Sequence, residues 1–310
     1  MRRLLILRSG ALGDFLVTLP AIALLRQRWP EAEIELIGNP VAAALAQARG
    51  LLDRVHRASS ARWLPLHGRE PLPPDLQAWL SSFDLVLNFQ PDPAGELAAG
   101  FPLRPGQRYL AGAPHPTAGP AAAHFCAPLQ ELGLPPGALV HPLAPLAAPD
   151  PGPRPVVIHL GSGSARKNWP GERWLELAIQ LTGPLTILLG EAELARPLPA
   201  ALAAARAAGA DRVTVDGREL DLLWQPPLED LLRRLAGARA FLGHDSGVSH
   251  LAACAGAPSL LLFGPTDPAI WKPPAENVRA LQAAGGLESL SVPEVLAACS
   301  GLLQAASGWK

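Results

Sequence analysis

A loop rich in glycine and serine, Gly161–Ser164, follows a short apolar run and precedes Arg166 and Lys167. Small residues leave backbone N–H groups accessible, and the hydroxyl groups of Ser162 and Ser164 add donors, so this loop suits a phosphate group. Arg166 stands where a dinucleotide-binding fingerprint has its third glycine, which disfavours NAD. The alternative is an ordinary loop followed by two solvated cations.

A second polar segment, residues 244–250, runs from an apolar stretch into a predicted helix. Asp245 and Ser246 then lie at the helix N-terminus, where N–H groups of the first turn, including that of Gly247, attract an anion. His250 lies one turn further on and offers another donor, although a lone helical histidine is often structural. Asp245 and Ser246 are also ordinary capping residues, worth about 1 kcal/mol, and the two roles are compatible.

Two charged residues could act in a group-transfer reaction, one as a proton acceptor and one as a positive charge on the leaving group. Asp14 opens the first predicted helix, where a carboxylate can accept a proton from an attacking hydroxyl or simply cap the helix. Lys167 is one of three lysines, against 23 arginines, and its ammonium can neutralise a departing phosphate as a compact point charge. We therefore take Asp14 and Lys167 as the candidate catalytic residues.

The elements that must position these residues follow an α/β pattern. A strand, a glycine-containing turn and a helix open the chain at residues 3–28, and the same order returns at residues 156–181. Ligands of open parallel sheets bind beyond the carboxyl ends of the strands, so one cleft is expected to be lined by the loops that start at Ser9, Gly161, Gly190, His244 and Gly264. Further strands are predicted at residues 33–37, 54–58, 84–88, 108–111, 185–189, 212–215, 240–243 and 259–263.

Residues 142–155 contain six prolines and show no apolar periodicity, which is typical of an extended linker. The boundary placed there predicts two Rossmann-like domains, residues 1–150 and 151–310. A fold in which the last helix, residues 292–306, packs back on the first domain is also open.

Composition excludes several classes of protein. With 26 Lys plus Arg against 27 Asp plus Glu, the 310-residue chain has a net charge of -1 and lacks the bulk attraction that non-specific nucleic-acid binding needs. Three scattered cysteines disfavour a disulfide framework or a structural zinc site and fit a reducing cytoplasm. The sequence contains no run of about 18 uncharged apolar residues, so we expect no transmembrane helix. One local basic stretch, residues 49–69, suits an anionic acceptor or a membrane surface, or is a solvated face.

Four motifs occur in order along the chain. They are Arg8–Asp14, Lys167–Pro170 with Trp174, His244–Gly247 with His250, and Phe263–Pro268. Together they resemble glycosyltransferase family 9, the ADP-heptose:lipopolysaccharide heptosyltransferases. The resemblance implies a GT-B fold, in which two Rossmann-like domains with parallel sheets face a central cleft, the first binding the acceptor and the second the nucleotide sugar. Between about residues 55 and 150 no motif matches.

The same resemblance implies inverting transfer of a heptose or related sugar from a nucleotide diphosphate sugar. The expected donor is ADP-heptose. The acceptor would be a hydroxyl of the lipopolysaccharide core or a similar anionic glycolipid, reached in the cytoplasm or at the inner face of the cytoplasmic membrane. No metal and no cofactor beyond the donor is implied. Asp14 would be the general base and Lys167 would act on the leaving diphosphate. The donor-binding residues would be Ser162, Gly163, Ser164, Lys167, Glu193, Asp245, Ser246, Gly247 and His250.

The chain departs from the family pattern at several places. His244 stands where the family usually has Asn or Val, Gly-Ser-Gly-Ser replaces paired threonines in the loop, and Glu193 lies one residue too close to Gly190. Two other functions therefore remain open. One is a non-catalytic nucleotide-sugar binder of the same fold, which would not need Asp14. The other is a sugar-nucleotide epimerase, which would need cleft acids or histidines that the sequence does not identify.

Overall fold

The computed structural model describes residues 1–68 and 71–306 and divides the chain into two compact units, Met1–His141 and Pro142–Lys310. Pro142 is also the first residue of the predicted linker. Within the described residues, no helix is both long and apolar enough to cross a membrane.

In the described part of the first unit, five parallel strands form one sheet in the order β3-β2-β1-β4-β5. The strands are β1 Arg3–Arg8, β2 Glu33–Gly38, β3 Arg54–Arg57, β4 Leu85–Asn88 and β5 Arg108–Ala111. The helices are α1 Leu12–Arg28, α2 Pro40–Gln47, α3 Pro74–Ser81, α4 Glu96–Gly100 and α5 Ala121–Cys126. The apolar run of β1 is buried at the centre of the sheet, as expected for a strand covered on both faces.

The second unit has a seven-stranded sheet, within its described residues, in the order β12-β11-β10-β6-β7-β9-β8. The strands are β6 Val156–His159, β7 Leu185–Leu189, β8 Arg212–Val215, β9 Arg218–Trp224, β10 Ala240–His244, β11 Ser259–Phe263 and β12 Val278–Gln282. The helices are α6 Gly171–Gln180, α7 Glu191–Leu194, α8 Ala200–Ala207, α9 Leu228–Ala236, α10 Gly247–Cys254, α11 Pro268–Trp271 and α12 Val292–Ala306.

The second sheet is not wholly parallel, because β8 runs antiparallel to β9 at one edge. The expectation of parallel order to the end of the chain is wrong at this hairpin. Asp216 and Gly217 both have positive φ, 46° and 77°, which is the backbone of a two-residue hairpin turn. Strand β9 was not predicted, since its charged residues interrupt the apolar run.

The core of the second unit lies between its sheet and the flanking helices. Trp169 and Trp174 are almost fully buried there and meet edge to face, with ring centroids 5.0 Å apart. Buried residues of α12, including Val295 and Cys299, belong to this same core. The last helix thus contributes to the unit that carries the Gly161 loop.

Each unit contains at least one buried thiol. Cys126 lies in α5 of the first unit, and Cys254 and Cys299 lie in α10 and α12 of the second. Burial raises the pKa of Cys126 to about 11 and that of Cys254 and Cys299 to about 12. These thiols are therefore protonated and unreactive in the folded state.

A buried carboxylate makes the stability of the first unit depend on pH. The side chain of Glu35 is fully buried, accepts a hydrogen bond from His56 Nε2 at 2.6 Å and pairs with Arg3. Burial alone would raise the Glu35 pKa, but the hydrogen bonds from His56 and Arg3 outweigh it and hold the pKa below its usual value near 4.5. A depressed folded-state pKa stabilises the protein above about pH 4.5, and this contribution disappears as the pH falls through the lowered pKa.

We expect Glu35→Gln to lower the free energy of unfolding at pH 7 by about 2 kcal/mol, because charge-assisted hydrogen bonds are lost inside the core. The variant should also lose part of the decline in stability that the wild type shows below pH 4.5. Urea unfolding at pH 7 and pH 4, followed by tryptophan fluorescence, measures both effects. An equal decline in both proteins would exclude Glu35 as its source.

Candidate functional site

The strand order of the second unit places a ligand site at one point of the sheet. The chain moves from β6 to one side through β7 and later returns to the other side of β6 as β10. Ligands of open α/β sheets bind at such a reversal, beyond the carboxyl ends of the two strands. The Gly161–Ser164 loop follows β6, and Asp245 follows β10, so the two predicted segments come together there.

The loop after β6 is held by its own side chains and by an arginine. The Ser162 hydroxyl is buried and lies 2.7 Å from Asn168 Oδ1 and 3.0 Å from the Ser164 carbonyl oxygen. Arg196 donates to the carbonyl oxygens of Ser162 and Gly163, at 3.1 Å and 3.2 Å. Two loop carbonyl oxygens are thus bound by a cation, which offsets their partial negative charge. Gly163 itself is exposed.

Glu193 is buried beside this loop. Its Oε2 atom accepts from the Gly190 N–H at 2.7 Å and lies 3.3 Å from His159 Nε2. Burial raises the Glu193 pKa, but the His159 hydrogen bond and charge and the backbone N–H groups lower it more, so the net shift is downward. Its other oxygen, Oε1, is buried and has no hydrogen-bond partner among the described residues.

Gly161 is required by this carboxylate. A Cβ atom at residue 161 would collide with Glu193 Oε1, and Glu193 cannot withdraw without giving up its bonds to Gly190 and His159. We expect Gly161→Ala to cost about 2 kcal/mol through this overpacking, a fall in Tm of about 4–8 °C. Gly163→Ala is the matched control for stability, because a Cβ at residue 163 meets nothing within 4 Å. Differential scanning calorimetry of both variants checks the difference, and equal Tm values would exclude the collision.

Lys167 and Asp245, which lie 78 residues apart in sequence, form an ion pair. Lys167 Nζ lies 2.7 Å from Asp245 Oδ2. The Asp245 side chain is 7% exposed, whereas that of Lys167 is 31% exposed. The ammonium therefore keeps an open side toward solvent, where a second anion can approach it.

Asp245 leads into the N-terminus of α10, as the sequence predicts. Ser246 is the N-cap: its hydroxyl accepts from the Ser249 N–H at 3.4 Å and lies 3.1 Å from the Ser249 hydroxyl. His250 is buried in the first turn of the helix. The N–H groups of Gly247 and Val248, at the start of the helix, have no carbonyl acceptor within it and so attract an anion.

Asp14 lies in the first unit, at the corresponding reversal between β1 and β4. Its Oδ2 accepts from the Ala11 N–H at 2.9 Å, and its Oδ1 lies 3.0 Å from Arg8 Nη2. The Asp14 side chain is 39% exposed, so it can meet a substrate. Gly10 has a φ of +125°, and a Cβ there would touch the Asp14 carboxylate.

Arg8 forms an ion pair with Asp14 and also donates to its backbone carbonyl oxygen. Its side chain is 6% exposed, stacks at 4.3 Å over the Phe125 ring and donates to the carbonyl oxygens of Asp14 and Pro114. Burial lowers the Arg8 pKa, and the Asp14 charge opposes that shift. The guanidinium and the carboxylate therefore stabilise each other's charge, which fixes Asp14 in one orientation.

A cavity of about 460 Å³ adjoins Asp14 through Gly10. It contains one cationic side chain, that of Arg57, together with hydroxyl and amide groups, and this chemistry suits a hydroxylated ligand that bears an acidic group. Arg69 of the basic stretch lies outside the described residues. The lining residues are Ser9, Gly10, Gly38, Asn39, Pro40, Arg57, Ala58 and Ser59.

Sequence reasoning assigned no role to four residues that shape these sites, although two of them begin recognised motifs: Arg8, His159, Arg196 and His244. Arg8 and His159 each end a buried strand, where a polar residue is a signal that could have been used. Arg196 binds backbone carbonyl oxygens, and no pattern in the sequence predicts such a contact. Among the described residues, no group of three or more His, Cys, Asp or Glu side chains could hold a metal ion.

Comparisons with known proteins show which sequences the second unit resembles. Residues 143–291 match the sequence model of glycosyltransferase family 9 (heptosyltransferase). The chain is 36% identical over 123 residues to lipopolysaccharide heptosyltransferase 1 of Pseudomonas aeruginosa, which is 40% of this chain and 32% of that protein. It is 31% identical over 135 residues to the Escherichia coli K12 protein of the same name, 40% of each chain. The matched segment thus spans between about a third and two fifths of these two relatives.

Solved structures extend the likeness to both units at the level of fold. A glycosyltransferase family 9 protein from Veillonella parvula has a TM-score of 0.72 at 17% identity, covering 98% of this chain and 97% of that chain. E. coli heptosyltransferase WaaC, solved with ADP, has a TM-score of 0.69 at 21% identity, covering 97% and 99%. The predicted α/β fold with two Rossmann-like units, the GT-B type, is confirmed. The family match itself, residues 143–291, lies within the second unit and covers just under half of the chain.

Proposed function

We propose that the protein is an inverting glycosyltransferase that moves a heptose or a related sugar from ADP-heptose, or a similar nucleotide diphosphate sugar, to a hydroxyl of a lipopolysaccharide-core glycolipid. The observation that supports this proposal most is that the family match and the candidate donor residues fall in the same part of the chain. The family match covers residues 143–291, and the Gly161 loop, Lys167, Asp245 and the start of α10 all lie inside it. The names of the relatives, lipopolysaccharide heptosyltransferases, support the sugar and the acceptor class.

The donor diphosphate is proposed to lie between Lys167 and the N-terminus of α10. The ammonium and the first-turn N–H groups supply positive charge where the leaving group becomes more negative. Ser164, Ser246 and His250 add donors, while Ser162 and Gly163 shape the loop. Asp245 is proposed to hold the donor sugar beside Lys167.

Glu193 is proposed to bind the nucleoside. Its Oε1 atom is buried and lacks a hydrogen-bond partner among the described residues, and a buried acceptor left without a donor costs about 1–3 kcal/mol. A hydroxyl of the donor nucleoside would satisfy it. The bond from Oε2 to the Gly190 N–H keeps the carboxylate in place for this contact.

Asp14 is proposed as the general base. The acceptor oxygen attacks the anomeric carbon of the donor sugar, the bond between that carbon and the diphosphate oxygen breaks, and the diphosphate leaves with the electron pair. Asp14 takes the proton of the attacking hydroxyl as the new bond forms. One displacement of this kind inverts the anomeric configuration, and none of its steps requires a metal or a further cofactor.

The acceptor is proposed to be anionic and presented at the inner face of the cytoplasmic membrane. Arg57 in the cavity beside Asp14 would bind its acidic group. Nearby in sequence, Leu64 is 69% exposed and Arg62 is also exposed, a combination that suits an anionic lipid surface. No nucleic-acid partner is proposed, because the chain has no net positive charge.

The test has two parts. Melting temperatures are measured with ADP, GDP, UDP and dTDP, and ADP is expected to stabilise the protein most; a ligand at 100 times its Kd adds about 2.7 kcal/mol. Transfer from ADP-heptose to a lipopolysaccharide-core glycolipid is then followed by mass spectrometry. Stabilisation without transfer from any nucleotide sugar would favour the non-catalytic binder. Interconversion of the free nucleotide sugar would favour the epimerase.

A further inference from the structure

We propose that His244 is a positioning residue of the donor site. Through its neutral imidazole it fixes the loop that carries Lys167 against the strand end that carries Asp245. This inference rests on the proposed function, because the role of that ion pair in donor binding belongs to it.

The imidazole of His244 is fully buried and accepts two hydrogen bonds at one nitrogen. The backbone N–H of Trp169 donates to His244 Nε2 at 2.8 Å, and the indole N–H of Trp174 donates to the same atom at 3.3 Å. Both partners are donors only, so Nε2 must carry a lone pair, and the ring proton belongs on Nδ1. His244 is therefore the neutral Nδ1–H tautomer.

The surroundings of His244 keep it neutral. Burial and, to a smaller extent, the nearby His159 lower the His244 pKa to about 3, although the Gly161 backbone and Glu193 oppose the shift. A protonated ring would carry an N–H at Nε2 and would confront two other N–H donors. The imidazole therefore stays neutral near pH 7, with its acceptor at Nε2.

The two hydrogen bonds to His244 also restrain the ion pair between Lys167 and Asp245, because the residues involved are close in sequence. Trp169 follows Lys167 by two residues, and Asp245 is the residue after His244. The bond from Trp169 to His244 and the pair between Lys167 and Asp245 therefore bridge the same two segments, β10 and the loop, at adjacent points.

Tryptophan packing makes this bridge rigid. The indole N–H of Trp169 also donates to the Leu290 carbonyl oxygen at 3.1 Å, and the Trp174 ring lies edge to face with His244, with centroids 5.2 Å apart. A lysine side chain has four rotatable bonds, and holding its backbone still reduces the entropy lost when the ammonium binds an anion.

Nitrogen NMR tests the tautomer. In protein with ¹⁵N-labelled histidine, we expect one imidazole to show a protonated Nδ1 and an unprotonated Nε2, unchanged between pH 5 and pH 8. The His244→Asn spectrum assigns this signal to residue 244 by its absence. A protonated Nε2, or titration of the ring in that range, would overturn the proposal.

A double-mutant cycle tests the positioning role, with the Kd of ADP from calorimetry as the readout. His244→Phe keeps most of the volume but removes the acceptor, and we expect it to weaken ADP binding about tenfold. In a Lys167→Met background the same change should cost less than about twofold, because the residue through which His244 acts is gone. His244→Asn, which retains an acceptor oxygen, should recover part of the affinity. Additive losses would show that His244 is structural only and would overturn the proposal.

A second pair of variants covers the case in which His244→Phe does not fold. Trp174→Phe removes one of the two donors to His244, and we expect ADP affinity to fall about threefold. Trp224→Phe is the matched control, since its indole N–H donates to the Ala210 carbonyl oxygen in the same unit. Equal affinities of the two variants would overturn the inference alone. If wild-type protein binds none of ADP, GDP, UDP and dTDP, the proposed function and the inference fail together.

Discussion

Asp14→Asn should lower kcat by about 10² to 10⁴, the range typical for the loss of a positioned general base. The amide cannot take the proton of the acceptor hydroxyl, but its oxygen can still accept the hydrogen bond from the Ala11 N–H that now reaches Asp14 Oδ2. Asp14 is the third residue of α1 and not its N-cap, which is Ala11, so this bond is the contribution to the helix start that Asn retains. Donor binding should therefore survive, since the donor residues belong to the other unit. Initial rates and the Tm shift with ADP measure the two effects.

Asp53→Asn is the matched control for this variant. Asp53 also lies in the first unit, accepts a hydrogen bond from the Ile34 backbone N–H and pairs with Arg26. Its side chain is 42% exposed, against 39% for Asp14. We expect Asp53→Asn to lose comparable stability and to keep its kcat. If both variants transfer sugar at the wild-type rate, Asp14 is a cap and not the base.

Lys167→Ala should reduce kcat by about 10² to 10³ and weaken ADP binding about tenfold. Removal of one preorganised charge at a developing anion has an effect of that size on turnover. The second effect has another origin: Asp245 is 7% exposed, and without its partner it presents an uncompensated carboxylate to the diphosphate. Steady-state kinetics with varied donor and calorimetry with ADP separate the two.

Two further variants distinguish these causes. Lys272→Ala removes another lysine of the second unit, whose ammonium lies 3.4 Å from the carbonyl oxygens of Pro273 and Val278, and should leave both constants unchanged. Lys167→Ala combined with Asp245→Asn should regain part of the ADP affinity, because the unpaired carboxylate is gone. Wild-type ADP affinity and kcat in Lys167→Ala would remove the lysine from the site.

The positions of the main candidate residues could be predicted, but their pairings could not. A residue that follows a buried strand lies at the carboxyl edge of the sheet, which is why the places of Asp14 and the Gly161 loop in the fold could be predicted. The ion pair between Lys167 and Asp245 depends on β10 returning to lie beside β6, a strand order that local patterns do not specify. His244 lay within a recognised motif, yet its role depends on two tryptophans whose placement only the packed core defines.

The missed hairpin is a different case, since the sequence did contain its signal. Asp216 and Gly217 form the two-residue turn between β8 and β9, and an Asp-Gly pair between strand-like runs is a strong indication of a hairpin. Strand β12 has no such signal. Three of its five residues are exposed at the sheet edge, so its pattern is that of a loop.

The three buried thiols allow local opening to be measured without added labels in the chain. A thiol that is protonated and enclosed reacts with a disulfide reagent only when its surroundings unfold, so its rate of reaction reports that opening. Cys126 reports the first unit, whereas Cys254 lies in α10, the helix whose N-terminus is proposed to bind the donor diphosphate. A bound nucleotide would slow the reaction of Cys254 more than that of Cys126. The reaction rates of the buried thiols would thus report nucleotide binding at the proposed donor site, separately for each unit.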